Sequence, residues 1–155
     1  MILPQIVVTP ENPTCSAIQE LIRELDNYLA ALYPSESNHG LDISDLLHQS
    51  VTIFLARLNN EPVGCGALKY FPEGYAEVKR MYTKPGFRGK GIGKKILNQI
   101  ELTAKQSNIY TLRIETGIYQ PEAIGLYEKL GFYRIPSFGD YQPDPLSLFL
   151  EKRLV

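Results

Sequence analysis

Apolar side chains recur every three or four positions in the first part of the chain. The run begins near Thr14 and consists of Ile18, Leu21, Ile22, Leu25, Tyr28, Leu29 and Leu32. This spacing places the apolar side chains on one face of an α-helix. Pro34 cannot continue a helix, so the pattern predicts a long amphipathic helix that ends before this proline.

The segments on either side of this helix are shorter. Residues 5–9 favour a strand that ends at Pro10, and the polar residues 35–41 favour a loop. A second short helix is predicted from Asp42 to about Gln49. Its inward-facing residues are predicted to be Ile43, Leu46 and Leu47.

β-branched and aromatic residues dominate the next three segments, which predicts strands. Turn-forming residues separate these strands at 59–62 and 72–74. Because connections this short join antiparallel neighbours, the strands are predicted to pair in sequence order. They span residues 51–58, 63–71 and 75–82.

Helices and strands alternate in the second half. A helix is predicted from Gly91 to about Ser107, with Leu102 off its apolar face. Pro121 marks a helix start, and Gly131 is a typical C-terminal cap for that helix. Strands are predicted at 110–116, 132–135 and 146–152, with a loop at 136–145. The complete order (β-α-α-β-β-β-α-β-α-β-β) predicts an α/β fold with a mixed sheet.

Composition changes this picture little. The 155 residues, 44% of them hydrophobic, predict one domain over 1–155. No long apolar run or leader is recognised, so we expect a cytoplasmic protein without membrane association. Cys15 and Cys65 are interpreted as free thiols, and His39 and His48 stand alone, so no metal site is predicted. The net charge of -1 argues against nucleic-acid binding.

Charge is nevertheless concentrated locally. Residues 78–100 contain seven cations and no acid, with glycines interspersed between a strand and a helix. A helix N-terminus presents unpaired N–H groups and a positive dipole end, which suit a phosphate. The spacing of Gly89 and Gly93, with Lys95 after Lys94, excludes a P-loop; Ile96 excludes the dinucleotide G-x-G-x-x-G pattern.

Two motifs carry a family resemblance. Arg88-x-x-Gly91-x-Gly93 fits the pyrophosphate-binding signature of the GCN5-related N-acetyltransferases (GNAT superfamily). Downstream, residues 123–132 match a second signature, A-x-x-L-Y-x-x-x-G-F, and include Tyr127. The chain therefore resembles this family, strongly over about 51–132.

The resemblance implies a mostly antiparallel mixed sheet flanked by helices, with acetyl-coenzyme A as co-substrate. In the family, the strand at 75–82 and the following strand splay apart, and the pantetheine arm lies in the gap. The residues implied to bind the coenzyme are Met81, Tyr82, Thr83, Arg88, Gly89, Lys90, Gly91, Ile92, Gly93, Lys94, Gln120 and Tyr127. Many members have Asn at the position of Gln120.

The resemblance also implies catalytic roles. Tyr127 stands where the family's general acid stands, although a purely apolar packing role is the alternative. An amine is protonated at neutral pH and needs a base. Glu77, eleven residues before Arg88, is the first candidate base and Glu115 the second; either could act through water. The backbone N–H of Met81 is the implied oxyanion donor.

Acceptor-binding residues are less determined. Lys79 and Arg80, with Lys69 nearby, could recognise a carboxylate, or form an ordinary charged strand face. Asn38 and His39 lie where members often shape the acceptor site, and a plain loop role is the alternative for His39. Tyr141 belongs to a loop on the expected acceptor side, where a turn-forming role is the alternative. Cys65 is interpreted as a small buried residue, not an acyl-carrying nucleophile.

Together these features predict an N-acetyltransferase that moves acetyl from acetyl-coenzyme A to a primary amine by direct attack in a ternary complex. A small metabolite is favoured over a protein as acceptor. The alternative is a non-catalytic acyl-coenzyme A sensor or partner-binding module. Family habit suggests a homodimer.

Overall fold

A seven-stranded sheet forms the centre of the computed structural model, which describes residues 5–37 and 41–155. The strands are β1 (Ile6–Glu11), β2 (Val51–Leu58), β3 (Glu61–Tyr70), β4 (Ala76–Thr83), β5 (Thr111–Gly117), β6 (Tyr133–Ile135) and β7 (Ser147–Arg153). The helices are α1 (Ser16–Leu32), α2 (Ile43–Leu46), α3 (Ile92–Gln106) and α4 (Pro121–Lys129), with 3₁₀ turns at Ser35–Ser37 and Pro85–Phe87.

The sheet order is β1-β2-β3-β4-β5-β7-β6. Every neighbouring pair is antiparallel except β4 and β5, which run parallel. The prediction of a mixed, mostly antiparallel sheet flanked by helices is therefore confirmed. The parallel pair is short relative to the lengths of its two strands. Its pairing covers only Ala76 to Val78 against Leu112 to Ile114, although both strands continue beyond it.

Each face of the sheet carries its own apolar layer. α1 packs Ile18, Leu21, Ile22 and Leu25 on one face, as its spacing predicts, together with Leu46 of α2. α3 packs Ile92, Ile96, Ile100 and Ala104 on the other face, with Tyr127 and Phe132 from the α4 region. Burial of these stripes, rather than helix propensity, supplies most of the stability of each helix.

A β-bulge interrupts β4 just after its parallel pairing ends. Arg80 adopts a positive φ of 57°, and the register with β3 shifts between Cys65 and Ala67, so that two residues of β4 oppose Gly66. A side chain at Gly66 would collide with the Met81 side chain, since its Cβ would lie 2.5 Å from the sulfur. The bulge re-aims the side chains of the second half of β4.

Several local predictions were wrong. β1 continues through Pro10 to Glu11, which an edge strand tolerates because a proline there need not donate to a second neighbour. The turn after β2 is only Asn59–Asn60, both at positive φ, so β3 begins earlier than predicted. The second helix is a single turn, and Leu47 is 54% exposed because it follows that turn as its C-terminal cap.

None of the helices in residues 5–37 and 41–155 is long and apolar enough to span a membrane. No group of three or more His, Cys, Asp or Glu side chains in the same ranges is arranged to hold a metal ion.

Candidate active site

The divergence of β4 from β5 opens a cleft in the interior of the sheet, between two neighbouring strands. Lys84 donates its N–H to the Val63 carbonyl at 2.8 Å, so its backbone faces β3. Backbone groups alternate in direction along a strand. The polar groups of Thr83 and Met81 therefore face the gap, which is the arrangement that the resemblance implies for pairing with a pantetheine arm.

The N-terminus of α3 closes one end of this cleft. Gly89 and Gly91 have φ values of 79° and 81°, a region that favours glycine. Gly91 is the N-cap and provides no side-chain cap, and the first turn has no acidic residue. Its N–H groups and dipole therefore suit a phosphate group. Arg88 lies beside them: its Nε donates to the Thr83 carbonyl at 3.3 Å, and its guanidinium lies 5.5 Å from the Tyr28 ring centre.

The cleft encloses about 430 Å³, and all the predicted coenzyme residues except Lys90 line it. This fits a coenzyme with a pyrophosphate at the helix and an extended arm along β4. The lining includes further residues that sequence reasoning missed: Leu25, Tyr28, Phe87, Glu122, Ala123 and Leu126. Tyr28 was visible only as one member of the apolar stripe of α1.

A second pocket of about 90 Å³ lies beside the cleft, between α1 and the diverging strands. Its polar lining includes Lys79, Arg80 and Glu115. The two cavities have lining residues in common, namely Leu25, Met81, Gln120 and Tyr127. The Tyr127 side chain thus lies where the two cavities meet.

Tyr127 is 4% exposed and packs edge-on against Phe132 at 5.9 Å. Burial raises the pKa of its hydroxyl above the ordinary tyrosine value, and the nearby Glu115 charge raises it further. The hydroxyl is therefore protonated at neutral pH and can donate a proton, as the predicted role of general acid requires.

The two candidate bases occupy different surroundings. Glu115 on β5 lines the second pocket and accepts a hydrogen bond from the Ser147 hydroxyl at 2.8 Å. Glu77 on β4 is buried outside that lining and binds Lys79 at 3.2 Å and the Tyr141 hydroxyl at 2.5 Å. The structure brings Glu115, not Glu77, to the pocket beside Tyr127.

Of the predicted acceptor-binding residues, some line the second pocket and others do not. Lys79 and Arg80 line the second pocket. Tyr141 does not; it accepts a hydrogen bond from Lys79 at 2.6 Å, and burial raises the pKa of its hydroxyl. Lys69 lies over the Phe71 ring instead. Asn38 and His39 fall outside the described residues.

Tyr33, at the end of α1, is a site residue that sequence reasoning missed. Its hydroxyl accepts the Tyr119 N–H at 3.0 Å and donates to Gln120 Oε1 at 3.3 Å. The rings of Tyr33 and Tyr119 stack at 5.5 Å. Gly117 makes room for it, since a Cβ there would lie 2.0 Å from the Tyr33 hydroxyl. The only sequence signal is its position next to the helix-ending Pro34.

Cys65 is fully buried on β3, and its thiol donates to the Arg80 carbonyl at 3.3 Å. Burial raises the pKa of this thiol to about 12. A thiolate is therefore scarce at neutral pH, in agreement with the interpretation of Cys65 as a packing residue.

A helix end that suits a phosphate, an extended cleft along a splayed strand and a buried tyrosine beside a small pocket fit an acyl-coenzyme A-dependent acyltransferase. Comparison with known proteins agrees. Residues 18–132 match the model of the Acetyltransferase (GNAT) family, and the chain belongs to this family.

Two relatives are similar over most of their length. An IAA acetyltransferase of Azospirillum brasilense is 46% identical over 98% of this chain and 100% of its own. An uncharacterised N-acetyltransferase of Bacillus subtilis, YsnE, is 34% identical over 88% of this chain and 92% of its own.

Solved structures show the same fold. A Klebsiella pneumoniae protein assigned to the acyl-CoA N-acyltransferases has a TM-score of 0.83 at 38% identity, over 97% of this chain and 98% of its own. PaiA N-acetyltransferase of Thermoplasma acidophilum, in complex with coenzyme A, has a TM-score of 0.76 at 21% identity, over 96% and 99%. The protein is thus a GNAT acetyltransferase.

Proposed function

We propose that this enzyme transfers acetyl from acetyl-coenzyme A to the primary amine of a small metabolite by direct attack in a ternary complex. The observation that carries this proposal is the junction of two cavities at Tyr127. A cleft for the coenzyme and a separate pocket for the acceptor allow both to be bound at once. A pocket of about 90 Å³ suits a small acceptor better than a peptide segment.

Residues of the chain divide the work. Bound acetyl-coenzyme A supplies an activated acyl carbon, which the amine nitrogen attacks as the bond to sulfur breaks. Glu115 takes the amine proton, directly or through water, because its carboxylate lines the acceptor pocket. Tyr127 donates its hydroxyl proton to the departing sulfur, and the gap-facing N–H of Met81 stabilises negative charge on the acyl oxygen.

Direct attack is favoured over a covalent acyl-enzyme. Among the described residues, no cysteine lines either cavity. Cys65, the nearest thiol in the sheet, is buried and bonded to a carbonyl.

The test is thiol release from acetyl-coenzyme A across a library of small primary amines, followed by initial-rate kinetics with the best acceptor. We expect double-reciprocal lines that intersect, which a ternary complex requires. Parallel lines would indicate an acyl-enzyme, and no thiol release with any amine would overturn the proposal.

Assignment of the base has a matched pair of variants. Glu115→Gln is expected to lower kcat by at least about tenfold and to shift the acid limb of the pH profile. Glu77→Gln removes a carboxylate that does not line the pocket, so its effect on kcat is expected to be smaller. The reverse order would return the base role to Glu77.

The name of the Azospirillum brasilense relative supplies a second candidate acceptor. Because that protein is 46% identical over nearly the whole chain, IAA belongs in the same thiol-release assay. Acetylated IAA detected by mass spectrometry would support this candidate over an amine.

Three broader proposals rest on sequence reasoning. We propose that 1–155 is a single acetyltransferase domain, that the protein acts in the cytoplasm without nucleic-acid or membrane partners, and that it is a homodimer. Light scattering after gel filtration tests the last of these, and a monomeric mass at micromolar concentration would contradict it.

A further inference from the structure

The Arg80 guanidinium is only partly satisfied. Its Nε donates to the Leu41 carbonyl at 2.6 Å, and its Nη2 pairs with Asp26 at 2.7 Å. Its Nη1 has no hydrogen-bond partner, and no other buried side-chain nitrogen or oxygen in residues 5–37 and 41–155 is left in that state. Only 4% of the Arg80 side chain is exposed.

An unpaired buried donor on a charged group is costly, so native proteins contain few of them. Two of the three nitrogens are held by protein partners, so the guanidinium is fixed in orientation. A fixed, charged N–H group beside a cavity is a donor for an oxygen atom that enters the cavity.

The bulge explains why this cation reaches the acceptor pocket. In a regular strand, the neighbours Lys79 and Arg80 would point to opposite faces of the sheet. The positive φ of Arg80 breaks this alternation, and both residues line the pocket. A non-glycine residue in this conformation costs free energy, and such strain concentrates at functional sites.

The charges around the pocket differ from one strand to the other. On β4, Lys79 is already paired with Glu77 and hydrogen-bonded to Tyr141. Nη1 of Arg80, in contrast, has no partner at all. On β5, Glu115 presents a carboxylate to the same pocket. An acceptor with an oxyanion at one end and an amine at the other would match both strands.

We propose that the acceptor is a small amino-carboxylate whose carboxylate binds Nη1 of Arg80 while its amine faces Glu115 and Tyr127. This deepens the proposed function and rests on it. Arg80 would then be the residue that determines specificity, since a carboxylate adds a charge-assisted hydrogen bond that a neutral amine cannot form.

The test uses matched acceptors and requires no variant. Glycine, β-alanine and γ-aminobutyrate are compared with their carboxamides and with the alkylamines that lack the carboxylate; larger α-amino acids, their amides and amines extend the set. We expect kcat/KM for the best carboxylate to exceed that of its amide by about ten- to a hundredfold, mainly through KM.

Variants then assign the preference to Arg80. Arg80→Gln is expected to reduce the ratio of kcat/KM between acid and amide to about one. Asp26→Asn is the matched control, because it removes the ion pair at Nη2 without touching a pocket-lining residue; the preference should survive it. Because Arg80→Gln could lower stability, Arg80→Lys is measured in parallel and is expected to show a reduced preference.

Each outcome has one meaning. Amides or simple amines used as well as the carboxylates overturn this inference and leave the acetyltransferase proposal intact. An equal loss with acids and amides in Arg80→Gln makes the residue structural and also overturns it. If none of the amines supports thiol release, the proposed function itself is overturned.

Discussion

At the scale of single residues, Tyr127 combines a packing role with the proposed role of general acid. Its ring belongs to the apolar layer beneath α3, which is what the apolar stripe of α4 alone would predict. Its side chain also lines both cavities. The burial that stabilises the ring also raises the pKa of the hydroxyl, so a core position keeps the acid protonated.

Tyr127→Phe therefore separates the two roles. The ring and its contact with Phe132 are kept, so thermal stability and coenzyme affinity should change little. We expect kcat to fall at least about tenfold, because the departing sulfur loses its proton donor. Turnover is measured by thiol release and affinity by calorimetry, with Tyr110→Phe, an exposed ring, as control. Unchanged kcat would remove Tyr127 from the mechanism.

The same pKa has a consequence for the pH profile. Because it is raised above the ordinary value near 10, the hydroxyl loses its proton only at higher pH than a free tyrosine would. Wild-type kcat should therefore show no decline from Tyr127 between pH 7 and 10. A decline in that range that is present in the wild type and absent in Tyr127→Phe would contradict this assignment.

The two cysteines should differ in reactivity. The thiol of Cys65 is buried with a pKa of about 12, whereas Cys15 is partly exposed. With Ellman's reagent at pH 8, we expect one thiol per chain to react in the native protein and two in guanidinium. Rapid reaction of both thiols in the folded protein would show that β3 opens more readily than its packing indicates.

At the scale of elements, the end of α1 is attached to the loop between β5 and α4. Tyr33 binds both Tyr119 and Gln120, and Gln120 lines both cavities. This contact fixes the position of Gln120, which forms part of the wall between the two cavities. A change at Tyr33 should therefore affect acceptor and coenzyme together.

We expect Tyr33→Phe, which keeps the ring and loses both hydrogen bonds, to raise the acceptor KM and the coenzyme Kd severalfold. Gly117→Ala should act in the same direction and more strongly, because its Cβ would displace the Tyr33 hydroxyl. Gly125→Ala is the control: no atom lies within 4 Å of its Cβ, and alanine in α4 should add up to about 1 kcal/mol of stability. A change in only the acceptor KM or only the coenzyme Kd would show that Tyr33 does not support both binding sites.

The elements also show what the sequence could predict. Periodicity located α1, α3 and the three antiparallel strands, because burial of one face imposes a local pattern. The two signatures pointed to residues that line the larger cleft. The bulge at Arg80 was not foreseen, since it depends on the register with β3 and on the absent side chain of Gly66. Tyr33 was missed because its partners lie 86 and 87 residues away. Contacts between distant segments leave no short-range signal, and they shape most of the acceptor pocket.

At the scale of the whole molecule, charge is distributed unevenly. The chain has a net charge of -1, yet residues 78–100 contain seven cations and no acid. Several of these cations are already paired: Lys79 with Glu77 on the same strand, and Arg80 and Lys84 with Asp26 and Glu24 of α1. The cations after Lys84 surround the N-terminus of α3, where they can attract a polyanionic coenzyme.

Coenzyme binding should therefore weaken with salt, and calorimetry with acetyl-coenzyme A at low and raised ionic strength measures this. Arg88→Gln is expected to raise Kd about tenfold and to flatten the salt dependence, because Arg88 lines the cleft and is fixed by Thr83. Lys90→Gln is the matched control: it removes the same charge from the same loop but not from the cleft lining, so its effect should be small. 3′-Dephospho-coenzyme A lacks the 3′-phosphate but keeps the pyrophosphate. Any loss of affinity with this analogue therefore reports contacts of cations outside the Arg88–Gly93 loop. Equal effects of the two variants would mean that the loop acts through its overall charge and that the position of Arg88 is unimportant.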